Sequence, residues 1–343
     1  MNEFTNINEF TNINEFTNIK NILDRWLFPK HNLDKNHTLD ELYLKFKEID
    51  FTSLIKAFTT RLDKIPCDFS KSEQVSGSIC FFGGIFTSLL NYGYIEEIEG
   101  LFTFALCYML IDHFLDNNQI SDVEKVTCMN EIYLFISEGK RSENKLIDAA
   151  AERYLELIDK VPKCQQYIMK LFKSELKGVE IQKNKNLNRE TYLQIAEEKG
   201  GLTAAVIGSI IGIEDDTESI KLGQKIQLID DLLDIGDDTS LNIYTLARYD
   251  LDNGNMDEYV IYTIKKINNL TNVYNFFKPI LLLGIILGIH DNPGNISEEL
   301  NEILQYYNPF NENTSKNSLS EWFHFRLYEY IDEKNINNKN GHL

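Results

Sequence analysis

Apolar residues recur along most of the chain at the spacing of an α-helix. Leu222, Ile226, Ile229 and Leu233 stand at i, i+4, i+7 and i+11, which places them on one side of a helix. Four further segments carry similar stripes: residues 101–115, 149–158, 192–213 and 276–289. Alternating apolar and polar segments between hairpin turns, which indicate strands, are scarce. The pattern predicts an all-α protein of roughly ten or more helices.

The two ends of the chain lack this pattern. The hexapeptide NEFTNI occurs three times in succession from Asn2, and one Phe and one Ile in each copy offer little surface to pack. Residues 1–20 are therefore predicted to be a disordered tail, and residues 332–343 a second one. With only 6 Pro and 18 Gly among 343 residues and no evident linker, residues 21–331 are predicted to form a single α-helical domain.

Composition narrows the class of partner. The chain has 34 Lys and Arg against 53 Asp and Glu, a net charge of −19, which argues against nucleic acid or an anionic membrane surface as a ligand. The five cysteines include no CxxC pair and no signal peptide is visible, so a cytoplasmic protein with reduced thiols is expected. The apolar run at residues 279–289 is about half of the ~20 residues that a membrane span needs. It is interpreted as a buried helix, without stable membrane insertion.

Five aspartates fall within the sixteen residues from Gly223 to Asp238. On an ideal helix Asp230 and Asp234 lie about 40° apart, and Asp231 and Asp238 fall within about the same 100° arc. Like charges stacked in this way destabilise a helix by a few tenths of a kcal/mol each, so a positive group is expected opposite them. Carboxylate oxygens suit Mg²⁺, whose coordination is usually completed by water and substrate phosphate.

A second acidic pair changes the interpretation of the first. A solvated acidic face would explain either cluster alone. However, Asp112 and Asp116 stand four residues apart directly after the apolar run LFTFALCYMLI. Two such pairs in apolar helices more than a hundred residues apart are expected to meet across the mouth of a pocket.

Three segments together resemble a known family. Residues 223–234 read GxxxQxxDDxxD, which resembles the second aspartate-rich motif of the trans-isoprenyl diphosphate synthases. The segment DHFLD at residues 112–116 resembles the first motif of the wider class I terpenoid synthase superfamily. The segment YLQIAEEKGG, with Lys199, is similar to the stretch whose lysine reaches the substrate diphosphate in that family.

The resemblance implies a fold and a metal site. The fold is the class I terpenoid synthase helical bundle around a central apolar cavity, with three Mg²⁺ ions at its mouth. The residues implied as metal ligands are Asp112, Asp116, Asp230, Asp234 and Asp238, of which the first four are also the catalytic residues. Asp238 continues the spacing of Asp230 and Asp234, as in the metal-binding triad of microbial terpene cyclases, and Asn242 is an alternative third ligand.

The resemblance also suggests which residues meet the substrate. Gln227 and Asp231 would orient the cluster, and Lys199 would bind diphosphate, with Arg326 and Tyr328 in WFHFRLYEY as second choices. Arg189 and Arg248 are further candidate cations. Four residues below Asp112 are candidates for the wall around a prenyl chain, although ordinary core packing explains each equally well: Phe102, Ala105, Tyr108 and Met109.

The sequence departs from the chain-elongating members of the family. No arginine follows Asp116, and residues 72–84 contain no basic residue, so a site for a second diphosphate is not evident. The leading hypothesis is a Mg²⁺-dependent terpene synthase that ionises a linear prenyl diphosphate and cyclises or rearranges the carbocation. The alternatives are a trans-prenyltransferase, by elongation or head-to-head condensation, a non-catalytic regulatory relative, and a helical interaction protein. Homodimers are common in the superfamily, so a homodimer is one expected assembly.

Overall fold

The computed structural model describes residues 15–23, 58, 60, 71–92, 98–115, 119–290 and 293–308. These residues form helices and turns, with no strand among them, so the all-α prediction is confirmed for the described chain. Among the described residues, the structure gives the bounds of twelve α-helices after residue 70. They are α1 (Lys71–Tyr92), α2 (Ile98–Leu115), α3 (Asp122–Glu138), α4 (Lys145–Lys160), α5 (Gln165–Ile181), α6 (Arg189–Ile210), α7 (Thr217–Leu233), α8 (Ile235–Leu241), α9 (Leu246–Asp252), α10 (Met256–Asn268), α11 (Lys278–His290) and α12 (Glu298–Tyr306).

Local sequence explains where several of these helices begin and end. Ser121 and Glu124 form a reciprocal capping box at the start of α3, and the side chain of Asn188 accepts a hydrogen bond from a backbone N–H at the start of α6. Gly139 ends α3 with φ 72°, a left-handed conformation that glycine adopts without strain. The helix boundaries are therefore specified locally, and packing decides how the helices are arranged.

The buried apolar side chains form two cores that share α6. One core combines α1 to α5 with the C-terminal half of α6, through Val206 and Ile210. The other combines residues 15–23 and α7 to α12 with the N-terminal half of α6, through Tyr192 and Ala196. Helix α6 thus connects the two cores.

Helices α6 and α7 touch backbone to backbone at two glycines. A Cβ atom at Gly200 would lie 2.3 Å from the carbonyl oxygen of Gly223, and one at Gly223 would lie 2.1 Å from the carbonyl oxygen of Gly200. Real Cβ atoms do not approach so closely, so only glycine fits at either position. This contact places the neighbouring side chains of the two helices, including Lys199 and Gln227, side by side.

The N-terminal tail prediction differs from the structure for its last residues. Residues 15–23, which include most of the third hexapeptide, are helical, and Tyr307 donates a hydrogen bond to the backbone oxygen of Lys20. Four side chains of this segment are buried: Phe16, Ile19, Ile22 and Leu23. The segment packs because NIKNIL extends the apolar residues of the third repeat into a helical stripe, which one hexapeptide alone lacks. Residues 1–14 and 332–343 of the predicted tails lie outside the described residues.

Two of the described helices, α2 and α11, are strongly apolar. Of the helices described, α2 is the one with the length and composition to cross a membrane, properties that a buried core helix shares. Its Leu101, Phe104 and Cys107 side chains are buried within the protein. The predicted buried helix at residues 279–289 is confirmed as part of α11, in which Ile285 and Ile289 are buried.

Candidate functional site

The side-chain amide of Gln227 joins two aspartates of the second motif. The Nε2 atom of Gln227 donates hydrogen bonds to Oδ2 of Asp230 and to Oδ1 of Asp231, each at 3.1 Å. The structure therefore brings these three predicted site residues together at the C-terminal end of α7. The amide shares its two donors between two carboxylates, so it fixes their orientation.

The four aspartates differ in burial, and the helix breaks in the middle of the cluster. Asp234 separates α7 from α8 with φ −89° and ψ 2°, away from helical values. Asp231 and Asp238 are buried, Asp230 is half-buried and Asp234 is exposed. The single arc predicted from ideal helix geometry is thus divided into inward and outward carboxylates. Asp238, a predicted metal ligand, accepts a hydrogen bond of 2.9 Å from Thr245 Oγ1.

Burial makes these carboxylates unusually basic. Desolvation raises the pKa of Asp231 to about 7, and the charge of Asp230 adds to the effect, while the Gln227 hydrogen bond and the Lys199 charge oppose it. Desolvation and the negative charge of Asp231 raise the pKa of Asp238 to about 8. Burial also raises the pKa of Asp230, again against the charge of Lys199. Negative charge in the cluster is therefore poorly compensated, and a bound cation would stabilise it.

Lys199, the predicted diphosphate ligand, lines a cavity with Gln227 and Asp231. Its Nζ atom lies 2.9 Å from Oε2 of Glu175 on α5, and the side chains of Lys199 and Glu175 are 20% and 11% exposed. Sequence reasoning missed Glu175. The signal was a charged residue in the buried stripe of α5, next to Leu171 and Phe172.

Each residue of the Lys199–Glu175 pair lines a small cavity. One has a volume of about 10 Å³ and is lined by Lys199, Gln227 and Asp231. The other, also about 10 Å³, is lined by Glu175, Phe172 of α5 and Tyr108 of α2. Each has room for about one water molecule. The first cavity borders the second motif, and the second cavity borders α2, the helix that carries Asp112.

The four predicted wall residues do not form one wall. Phe102 stacks on Phe81 of α1 with ring centroids 4.0 Å apart, and the buried side chain of Met109 lies against Gly77 of α1. Tyr108 is half-buried and lines the cavity on the opposite side, towards α5. Side chains on all sides of α2 have neighbours, so consecutive residues, about 100° apart on a helix, meet different helices. Phe102 and Met109 are therefore ordinary core residues. Ala105 is also fully buried.

The first motif is described only in part. Asp112 belongs to α2, but the position of its side chain lies outside the described part of the structure, as do Asp116, Arg326 and Tyr328. Among the described residues, no three Asp, Glu, His or Cys side chains are grouped so as to hold a metal ion. The donors on the α7 side are all carboxylate oxygens, which fit Mg²⁺ better than softer metals.

The other candidate ligands have structural roles or are exposed. Arg189 forms a bidentate ion pair with the buried Asp250, with N–O distances of 2.7 and 2.9 Å. Arg248 is buried and donates to the backbone oxygen of Asp238 at 2.9 Å, with its guanidinium 4.2 Å from the centroid of the Tyr244 ring. Asn242 is exposed and ends α8 with φ 56°. Among the described cations that the sequence suggested, Lys199 is the one that lines a cavity with Gln227 and Asp231.

Comparison of the chain with protein-family models, curated proteins and solved structures finds no match. The function of the chain is therefore inferred from the chemistry of the site. Its described part combines a bridging amide, basic carboxylates and a partly buried lysine within two helices fixed by a glycine contact.

Proposed function

We propose that this protein is a Mg²⁺-dependent class I terpene synthase with the helical bundle of that superfamily. It would ionise a linear prenyl diphosphate, cyclise or rearrange the carbocation and release diphosphate. The observation that carries the proposal is the position of Lys199 beside Gln227, Asp230 and Asp231. Ionisation of a diphosphate needs a fixed cation for the leaving group and oxygen ligands for metal ions at the same place.

The proposal assigns distinct roles to the inward and outward carboxylates. Asp230 and Asp234 would hold Mg²⁺ from the α7 side, and Asp112 and Asp116 from the α2 side. When bound, Mg²⁺ supplies positive charge that stabilises the leaving diphosphate. The inward Asp231, held by Gln227, would keep Asp230 in position, and Asp238 would support the cluster from α8.

Lys199 would donate hydrogen bonds to a terminal phosphate oxygen of the substrate. Its side chain is 20% exposed, so its ammonium is partly removed from water and acts more strongly on nearby negative charge. The helix contact at Gly200 and Gly223 keeps it beside the cluster without reorganisation during the reaction.

The prenyl chain requires side chains to move. The two cavities of about 10 Å³ beside Lys199 and Glu175 are far smaller than ligand pockets, which span roughly 300–1,000 Å³. The proposal therefore includes an opening between α2 and α5, at Tyr108 and Phe172, when substrate binds. The apolar residues exposed by that opening would exclude water from the carbocation.

The test is product analysis. The purified full chain is incubated with geranyl, farnesyl, geranylgeranyl and longer diphosphates plus Mg²⁺, with and without isopentenyl diphosphate, and extracts are analysed by mass spectrometry. A cyclic or rearranged product from one diphosphate alone is expected. Asp230→Asn and Lys199→Gln should each reduce its formation by about 100-fold or more. Asp237→Asn, which changes an exposed aspartate of α8, is the matched control and should retain activity.

Other products would give other functions. Longer diphosphates that form only with isopentenyl diphosphate would establish chain elongation, and a product of two joined prenyl units would establish head-to-head condensation. If the folded protein converts no diphosphate under any condition, the proposal is wrong.

A further inference from the structure

We propose that Glu175 is a positioning residue for the diphosphate site, which holds the Lys199 ammonium in place and competes with the substrate phosphate for it. The inference rests on the proposed function, because it concerns the same lysine. It adds a residue outside all three sequence motifs and a consequence for affinity that the motifs do not imply.

The contact between the two groups is close and partly buried. The Lys199 Nζ and Glu175 Oε2 atoms are 2.9 Å apart, and the carboxylate side chain is 11% exposed. Around Glu175 on α5 the buried positions are mainly apolar, among them Ile168, Leu171 and Phe172. A carboxylate in such a stripe is costly to bury unless it has a charged partner. Lys199 is that partner, so each side chain fixes the position of the other.

One ammonium serves several carboxylates here. Lys199 contacts Glu175 and lines a cavity with Asp231, and Gln227 joins Asp231 to Asp230. Three carboxyl groups therefore lie near this ammonium in the described part of the site. An incoming phosphate must replace Glu175 at the ammonium.

The carboxylate has space to leave the ammonium. Glu175 also lines the cavity that Tyr108 borders, and this cavity has room for about one water molecule. Tyr108 stands one helical turn before Asp112 on α2. When phosphate takes the ammonium, the Glu175 carboxylate can turn towards α2, which is the side on which the proposed substrate opening lies.

The test measures binding of inorganic pyrophosphate with Mg²⁺ to the full chain by titration calorimetry. Glu175→Gln removes the competing charge and should bind pyrophosphate about tenfold more tightly than wild type. Glu175→Asp keeps the charge but shortens the side chain by one methylene group, so a smaller gain of about threefold is expected. This second variant keeps the test decisive if the glutamine variant does not fold. In turnover, Glu175→Gln should lower KM for the prenyl diphosphate.

Two controls separate a direct effect from a general one. Glu197→Gln breaks a comparable pair on α6, in which Lys266 Nζ lies 2.8 Å from Glu197 Oε1, and should change affinity by less than about twofold. In a Lys199→Gln background the gain from Glu175→Gln should disappear, because Glu175 acts through Lys199.

The outcomes distinguish the two proposals. Wild-type binding of pyrophosphate with equal or weaker binding by the Glu175 variants would overturn this inference and leave the proposed function standing. A gain that persists without Lys199 would also overturn it. Absence of Mg²⁺-dependent binding in the folded wild type and in every variant would overturn both.

Discussion

The two helices that carry the aspartate motifs are held in different ways. Helix α7 meets α6 through the main chain of Gly200 and Gly223, which cannot yield. Helix α2 meets α1 through side chains, with Phe102 stacked on Phe81 at 4.0 Å. Lys199 and the second aspartate motif thus belong to a rigid pair of helices, whereas α2, which carries Asp112, belongs to a pair that side-chain rotation can adjust. This division suits a site in which the Lys199 side stays fixed while the apolar side adapts to its ligand.

The largest effect is expected from a substitution that separates α6 from α7. In Gly223→Ala the new Cβ would lie 2.1 Å from the Gly200 carbonyl oxygen and 2.5 Å from Cβ of Ala204, so the helices must separate. We expect a loss of about 4 kcal/mol in the free energy of unfolding, measured by urea denaturation. Pyrophosphate binding should also be lost, because Lys199 and Gln227 would no longer be adjacent.

Two other glycines provide matched controls. A Cβ at Gly77 of α1 would meet the flexible Met109 side chain at 2.2 Å, which can rotate away, so Gly77→Ala should cost about 1–2 kcal/mol. Nothing lies within 4 Å of a Cβ at Gly236, so Gly236→Ala should be neutral or stabilising by up to about 1 kcal/mol. Equal costs for Gly223→Ala and Gly77→Ala would remove the distinction between the two helix pairs.

Features that depend on the spacing of residues along a single helix can be predicted from the sequence. The 3.6-residue periodicity indicates the all-α class, and the spacing of Gln227, Asp230 and Asp231 places them within reach of each other because they share α7. The resemblance also suggests Lys199 as the cation, and the structure places it beside them. These features are local, or depend on a single contact between two helices.

Contacts between distant segments were beyond sequence reasoning. Glu175 belongs to the site because α5 packs against α6, and one charged residue in an apolar stripe does not reveal its partner. The wall predicted on α2 is divided because helices pack on opposite sides of it, with Met109 towards α1 and Tyr108 towards α5. The break at Asp234, which turns Asp238 inward, also has no evident signal in the periodicity.

A second prediction concerns the buried carboxyl groups of α7 and α8. The pKa values of Asp231 and Asp238 in the folded protein, about 7 and about 8, lie above the ordinary value of 3.8. Between these limits the folded state binds more protons than the unfolded state, so stability is lost as pH rises. Without metal, the free energy of unfolding should fall by about 2.5 kcal/mol between pH 5.5 and 6.5. Asp238→Asn should remove about half of this fall.

The measurement is urea denaturation at several pH values in the presence of a chelator. Asp237→Asn, an exposed neighbour on α8, serves as the control and should keep the wild-type slope. An unchanged slope in Asp238→Asn would mean that Asp238 ionises in the folded protein without cost, and that the cluster is better compensated than the structure indicates.

The smallest effect is expected from a substitution at the side-chain contact between α1 and α2. Phe102→Leu removes the stack on Phe81 but keeps an apolar side chain of similar size, and the neighbours on α1 can close part of the gap. We expect a loss of about 1.5 kcal/mol in the free energy of unfolding, of which the aromatic contact accounts for about half to all. Pyrophosphate binding should stay within about twofold of wild type, because Lys199, Gln227 and the carboxylates of α7 stay in place. A large loss of binding in this variant would mean that the stack on α2 also positions the charges, and that the two helix pairs act as one unit.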